Sequence, residues 1–369
     1  MAPTSPVGRL GFTLVLGLLS AYTCNAQSPH SCTIPTNTVP FEFYSGQNRL
    51  QGFIDVPAGA RKHPLILIVH GSGITDVTHG DGGYNSSYDE MRGAFHRAGI
   101  ATAIWDKAGN GCSDGRYITG TPLIERTDET VAALDHLKQR NDVDPSRIGL
   151  WAISQGGWIA PMAAVRRPEV AFLIIVSGPG RDAAAETEYY AFNRLTQLGV
   201  GKFESQQAVA VLRRSYAIAS AGGSHEEFLT AIEPLEQYPL FGREMQITET
   251  PQMKVSPAAA AAYRANQQAL NYVLRTETYL LELHQPTLAI FGDRDVEVDW
   301  RTSVRIYKES FHKARNRDLT IKIYAGAGHN LYRPPAPQGD SRSPASSAFV
   351  EGYLDLMVEW LRARRFTTP

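Results

Sequence analysis

Short apolar runs that alternate with helical stretches constrain this chain more than any other feature. "PLILIVHGSG" carries five consecutive apolar residues and ends at a glycine turn, the pattern of a strand buried on both faces. "IATAIWD", "RIGLWAIS", "VAFLIIVSG", "PTLAIFGDRD" and "LTIKIYAGAGH" repeat it, while "SSYDEMRGAFHRAG", "IERTDETVAALDHLKQR" and the C-terminal "AFVEGYLDLMVEWLRARR" read as helices. Strands and helices in this alternation predict an α/β fold, a mostly parallel sheet with helices on both faces. "VPFEFYS" and "NRLQGFIDVP" precede it and read as an antiparallel pair.

The alternation breaks once. From Asp182 to Leu283 the sequence is helix-rich with no clear strand, and "AAAAAYRANQQALNYVLRTETYLLELH" is its most helical part. The strand pattern resumes directly afterwards, so the segment reads as a helical cap inserted between two strands rather than an independent domain. The expected organisation is therefore a leader over 1–26, a core built from 27–181 and 284–369, and a cap over 182–283. "RPPAPQGDSRSPASS" reads as a mobile loop.

The leader has Arg9 before "LGFTLVLGLLSAY" and small residues before a cut after Ala26, the arrangement of a secretory signal peptide. Its apolar run is short for a membrane span. The mature chain then starts near Gln27 with no further candidate span, in a secreted or periplasmic setting. Cys24 leaves with the leader; Cys32 and Cys112 remain and could pair in an oxidising compartment, although nothing in the sequence brings them together. Asn85 opens an "NSS" acceptor, relevant only in a eukaryotic host. With 36 basic and 37 acidic residues, charge gives no support for nucleic-acid or polybasic membrane contacts. No Cys/His spacing suggests a metal site, and no cofactor is expected. Oligomeric state is not legible.

Chemistry centres on "WAISQGGW". Ser154 follows an apolar strand, precedes "QGGWIAPMAAV", which can start a helix, and stands between small residues at Ala152 and Gly156. The bland reading is an N-cap serine. A nucleophilic serine needs a base, a group orienting that base, and donors for an oxyanion. His329 follows a strand and a Gly-Ala-Gly turn, while "FGDRDVEVDW" supplies Asp293, Asp295 and Asp299 at a strand end. His70 has a different place, at the head of "HGSG". His63, His96, His136 and His312 read as solvated.

Together these motifs resemble the α/β-hydrolase superfamily, its serine esterase and serine peptidase branch, from about Phe41 to Arg364 apart from the inserted helices. "AISQG" is similar to the G-x-S-x-G nucleophile elbow with Ala152 in place of the first glycine. The resemblance implies the chain order Ser154, acid, His329, and selects Asp295, three residues after Gly292, with Asp293 the main rival and Asp182 a distant one. It also implies oxyanion donors at the backbone N–H groups of Gln155 and Ser72, with Gly73 the alternative to Ser72. "WDKAGNGCSDG" is similar to a family turn at the sheet's top edge and carries no assigned chemistry. Tyr189, Tyr190 and Phe192 could line a pocket, but packing is the expected use of most aromatics there.

The function implied is hydrolysis of carboxylic esters through an acyl-enzyme, on a small-molecule ester or short peptide, without stable membrane insertion. A peptidase of the aminopeptidase or prolyl-oligopeptidase type is the alternative, though no acidic clamp for an amino terminus is evident. A non-catalytic binding protein on the same scaffold is the third reading, and it predicts loss of one of the three residues.

Overall fold

The structure, a computed structural model, describes residues 32–59, 62–78, 85–118, 122–238, 274–332 and 349–367. The expected leader, the loop over 333–348, and most of the alanine-rich helical stretch (258–273) lie outside these residues. The antiparallel pair forms as β1 (Val39–Ser45) and β2 (Asn48–Asp55). β3 (His63–Val69), α1 (Asn85–Arg97), β4 (Ala101–Trp105) and α2 (Leu123–Leu137) follow. Next come β5 (Val143–Ile153), α3 (Gly156–Arg166) and β6 (Phe172–Val176). Three helices then intervene, α4 (Ala183–Gln197), α5 (Lys202–Ser220) and α6 (His225–Ile232), before the short α7 (Glu277–Leu280). β7 (Thr287–Gly292), α8 (Trp300–Lys313), β8 (Leu319–Tyr324) and α9 (Tyr353–Ala363) complete the order.

All strands join one eight-stranded sheet in the order β1-β2-β4-β3-β5-β6-β7-β8. β2 runs antiparallel to both neighbours, and β4 through β8 are parallel, so the sheet is mixed but mostly parallel. The continuous apolar runs divide their side chains by the two-residue period of a strand. Leu65, Leu67 and Val69 enter one core with Leu134 of α2 and Ile159 of α3. Ile66 and Ile68 enter the opposite core with Met91 and Phe95 of α1 and Met357 and Leu361 of α9. Both faces are thereby covered, which explains why these strands read as uninterrupted hydrophobic runs.

Three local expectations change. α9 starts at Tyr353 rather than near Ala348, because Phe349 pairs with Tyr332 across a bridge and the Val350 N–H donates to the Leu331 carbonyl at 2.8 Å. α8 is an element the strand-by-strand reading did not name. His63 is buried within β3, with Nδ1 at 3.3 Å from the Gly99 carbonyl, rather than solvated. Cys32 and Cys112 form a disulfide across 80 residues of sequence. Among the described residues, no helix is long and apolar enough to cross a membrane.

Candidate active site

The end of β5 builds the turn that carries Ser154. Ala152 is fully buried in the sheet, in register with Val69 of β3 and Ile175 of β6. Ser154 takes a left-handed backbone with φ 54°, uncommon for a residue with a β-carbon. Such a conformation persists only where surroundings enforce it. Its N–H donates to the Val176 carbonyl at 3.0 Å and its carbonyl accepts from Gly157 at 2.7 Å, so the turn is gripped from both sides. α3 begins at once, and a β-carbon on Gly156 would run into the Val69 carbonyl. The bare glycine is what lets the helix start so close to β3. Gln155 directly precedes α3, which places its amide at the positive end of the helix.

The "HGSG" loop lies against this turn. A β-carbon placed on Gly71 would stand 3.4 Å from the Ser154 β-carbon, ordinary van der Waals contact, so Ser72 follows immediately beside the serine. His70 is buried edge-on against Trp105 and Tyr88, with ring centroids at 5.1 and 6.2 Å. Burial, with Lys107 and Arg126 nearby, holds it well below the ordinary histidine value, so it packs as a neutral ring.

His329 and Asp295 meet. Nδ1 of the imidazole lies 2.8 Å from Asp295 Oδ2, both side chains buried. The other carboxylate oxygen accepts the N–H groups of Glu297 and Val298 at 2.8 and 2.9 Å, which fixes the acid's orientation. The Ser177 hydroxyl, directly after β6, donates to the His329 carbonyl at 2.6 Å. Ser154 and His329 are therefore both anchored to the end of β6, at Val176 and Ser177. They are not hydrogen-bonded to each other: among the described residues, Ser154 Oγ is buried with no hydrogen-bond partner.

The rival acids have other uses. Asp293 accepts the Gly326 N–H at 2.7 Å and closes a turn. Asp299 caps α8, accepting from the Thr302 N–H at 3.2 Å, and Asp182 caps α4, accepting from Ala185 at 2.8 Å. Glu297 is the residue sequence reasoning missed. Its Oε2 lies 3.7 Å from His329 Nε2, on the side of the ring opposite Asp295. Its signal was only a third acid in "DVEVD", two residues beyond Asp295. Burial opposes the charged imidazolium, but Asp295, then Glu297, with Glu186 behind them, outweigh it and push His329 up to about 9.

The inserted helices reach this loop. Tyr189 of α4 donates its hydroxyl to the Asp295 carbonyl at 3.2 Å, and the Asn193 amide donates to the Val296 carbonyl at 3.1 Å. Glu186 is buried, accepting the Asp299 N–H at 2.9 Å; burial raises its carboxyl to about 7 although Arg181 opposes the shift. Tyr190 packs in the core. Among the described residues, no group of three or more His, Cys, Asp or Glu side chains is placed to hold a metal. Chemically, a serine at a helix start with a carboxylate-oriented imidazole nearby and amides at hand suits nucleophilic attack on an acyl group.

Comparison with known proteins agrees with this architecture. A 31.7 kDa protein of uncharacterised function from Escherichia coli, in the traX-finO intergenic region, is 32% identical over 120 residues, 32% of this chain and 38% of that protein. The thiohydrolase apmlB of Arthrinium phaeospermum is 33% identical over 89 residues, 24% of this chain and 29% of its own. The chain thus spans well under half the length of either relative. The Pyrococcus furiosus esterase Pf2001 superposes with a TM-score of 0.52 at 14% identity, covering 90% of this chain and 98% of that one, a likeness of fold. The profile of the family described as "Serine aminopeptidase, S33" matches residues 70–335, from the "HGSG" loop through His329. The chain belongs to this family of α/β hydrolases.

Proposed function

We propose that the protein is a secreted or periplasmic serine hydrolase that cleaves small carboxylic esters through an acyl-enzyme. The observation that carries this reading is the placement of Ser154, strained at a positive φ against Gly71 and anchored to the same strand end as the Asp295-oriented imidazole. His329 takes the proton from Ser154 Oγ as the serine attacks the carbonyl, and Asp295 stabilises the imidazolium. The amides of Gln155 and Ser72 receive the oxyanion, and water activated by His329 then releases the acid. The imidazole must turn Nε2 toward Ser154 Oγ for the first step. The Cys32–Cys112 bridge supports an oxidising compartment, in line with the leader sequence. The helices between β6 and β7 act as a cap, since α4 is hydrogen-bonded to the acid loop.

A second reading is a peptidase acting at a free amino terminus. The family description favours it, and Glu297 places a carboxylate beside the imidazole where a substrate ammonium would be attracted. Turnover of p-nitrophenyl esters against aminoacyl anilides separates the two. The ester reading expects esters to be preferred by at least about tenfold in kcat/KM, a difference of about 1.4 kcal/mol. Preference for anilides bearing a free amine would replace it with the peptidase.

A further inference from the structure

Lys107, two residues after the end of β4, is buried with 2% of its surface exposed. Lysine is almost never buried unless paired, because removing an ammonium from water is costly. Among the described residues no carboxylate forms an ion pair with it. Its Nζ instead donates to the Gly71 carbonyl at 2.6 Å and the Gly73 carbonyl at 2.7 Å. Those carbonyls flank Ser72. Burial, with Arg126 close by, holds the amine well below its ordinary value although Glu129 opposes the shift. A hydroxyl or amide would serve two carbonyls at less cost, so a lysine with both its donors committed to this loop calls for a use.

We propose that Lys107 is the positioning residue of the oxyanion loop, holding Ser72 between two captured carbonyls and polarising the peptide whose N–H meets the substrate oxygen. The inference rests on the reading of Ser72 and Ser154 given above. In a planar trans peptide the C=O and N–H point in opposite directions. Fixing the Gly71 oxygen on Lys107 therefore fixes the Ser72 N–H pointing away from it. A flip of that peptide must break the hydrogen bond from Lys107 Nζ and leave a buried donor and a buried carbonyl unpaired. Donation to the carbonyl also draws density through the amide resonance and makes the N–H a better donor.

The neighbouring residues hold Lys107 in turn. Asp106 accepts the Val77 N–H, the Thr78 hydroxyl and, at 3.1 Å, the Cys112 N–H, so the pair Asp106–Lys107 grips both ends of the loop over 70–78. A side chain at Gly111 would collide with the Asp106 carboxylate, which explains that glycine in "AGNGC". Glu129 of α2 accepts the Ala108 N–H at 3.1 Å and pairs with Arg126, fixing the backbone just after the lysine.

The test compares wild type, Lys107→Met and Lys107→Gln. The structure expects Lys107→Met to lower kcat by about 10- to 100-fold, below the range for deleting an oxyanion donor outright. KM should stay within about threefold, and affinity for a boronic acid transition-state analogue should fall in step with kcat/KM. Lys107→Gln, which keeps one donor, should fall between. A folded Lys107→Met enzyme with wild-type kcat, or one that loses rate while binding the boronate normally, overturns the proposal. Should the variants not fold, wild type labelled with 15N at lysine side chains decides. The Lys107 Nζ resonance should shift on adding the boronate; an unmoved resonance overturns the proposal. Ser154→Ala run in parallel separates the two levels. Activity retained in Ser154→Ala removes the serine reading itself, whereas activity lost there but intact in Lys107→Met removes only the role of the lysine.

Discussion

His329 sits between two carboxylates, and this sets how the site responds to pH. Asp295 holds the ring through Nδ1, while Glu297 faces Nε2, the nitrogen that receives the serine proton in the mechanism we propose. With His329 pushed up to about 9, the imidazole keeps its proton to higher pH than an ordinary histidine, and a protonated ring cannot accept one. The sign follows: kcat/KM falls as pH drops through the raised value and rises toward pH 9. Glu297→Gln removes one raising charge, so the acid limb should move to lower pH by on the order of one unit. A kcat/KM profile across pH 5 to 10 checks this, and an unmoved limb in the variant would show that Glu297 does not act on the ring. Lys107 makes the complementary point about what residue type conceals. The turn "WDKAGNGCSDG" carries no assigned chemistry in sequence, and only the position of β3 beside β4 turns Lys107 Nζ onto the "HGSG" carbonyls.

At the scale of elements, the elbow between β5 and α3 is where backbone geometry and chemistry coincide. Gly156 was legible as a small residue because it answers a close approach, its α-carbon lying against the Val69 carbonyl. Gly156→Ala should force β3 and α3 apart, costing about 1–3 kcal/mol of stability, as overpacking does. It should also slow acylation, measured by urea unfolding midpoints and rates of ester turnover. A variant with unchanged midpoint and rate would mean the helix start is not constrained there. The inner strands β3, β4, β6 and β7 were readable from their apolar runs because both faces are buried. α8 was not, since Val304, Tyr307 and Phe311 carry its buried apolar side and polar residues fill the rest. Asp299, weighed as a candidate acid, is the cap that starts this helix. The family resemblance selects Asp295, three residues after Gly292; the structure sets it beside His329, while Asp293 holds a turn and Asp299 and Asp182 cap helices.

Across the whole molecule, contacts between distant segments account for what the sequence left open. The pairing of Cys32 with Cys112 depends on the N-terminal segment crossing the turn after β4, where the Thr33 N–H also donates to the Thr78 carbonyl at 2.5 Å. Closing 80 residues of chain corresponds to about 4–5 kcal/mol of unfolded-state entropy in the chain-entropy view, with about 2–5 kcal/mol typical when a native bridge is removed. Cys112→Ser should therefore lower the unfolding free energy by about 2–5 kcal/mol, read by denaturant titration under non-reducing conditions. Equal stability of variant and wild type would contradict a formed bridge. The bridge also joins the backbone that presents Cys112 N–H to Asp106, so its loss should loosen the loop beside Ser154 as well.

The central claim is that Ser154 is the nucleophile, and covalent labelling tests it most directly. Wild-type protein treated with a fluorophosphonate should gain one adduct, mapped by peptide mass spectrometry to Ser154, and Ser154→Ala should remain unlabelled with ester turnover reduced by on the order of 10⁶-fold. A folded Ser154→Ala protein that still labels, or still hydrolyses ester at near the wild-type rate, would contradict the account.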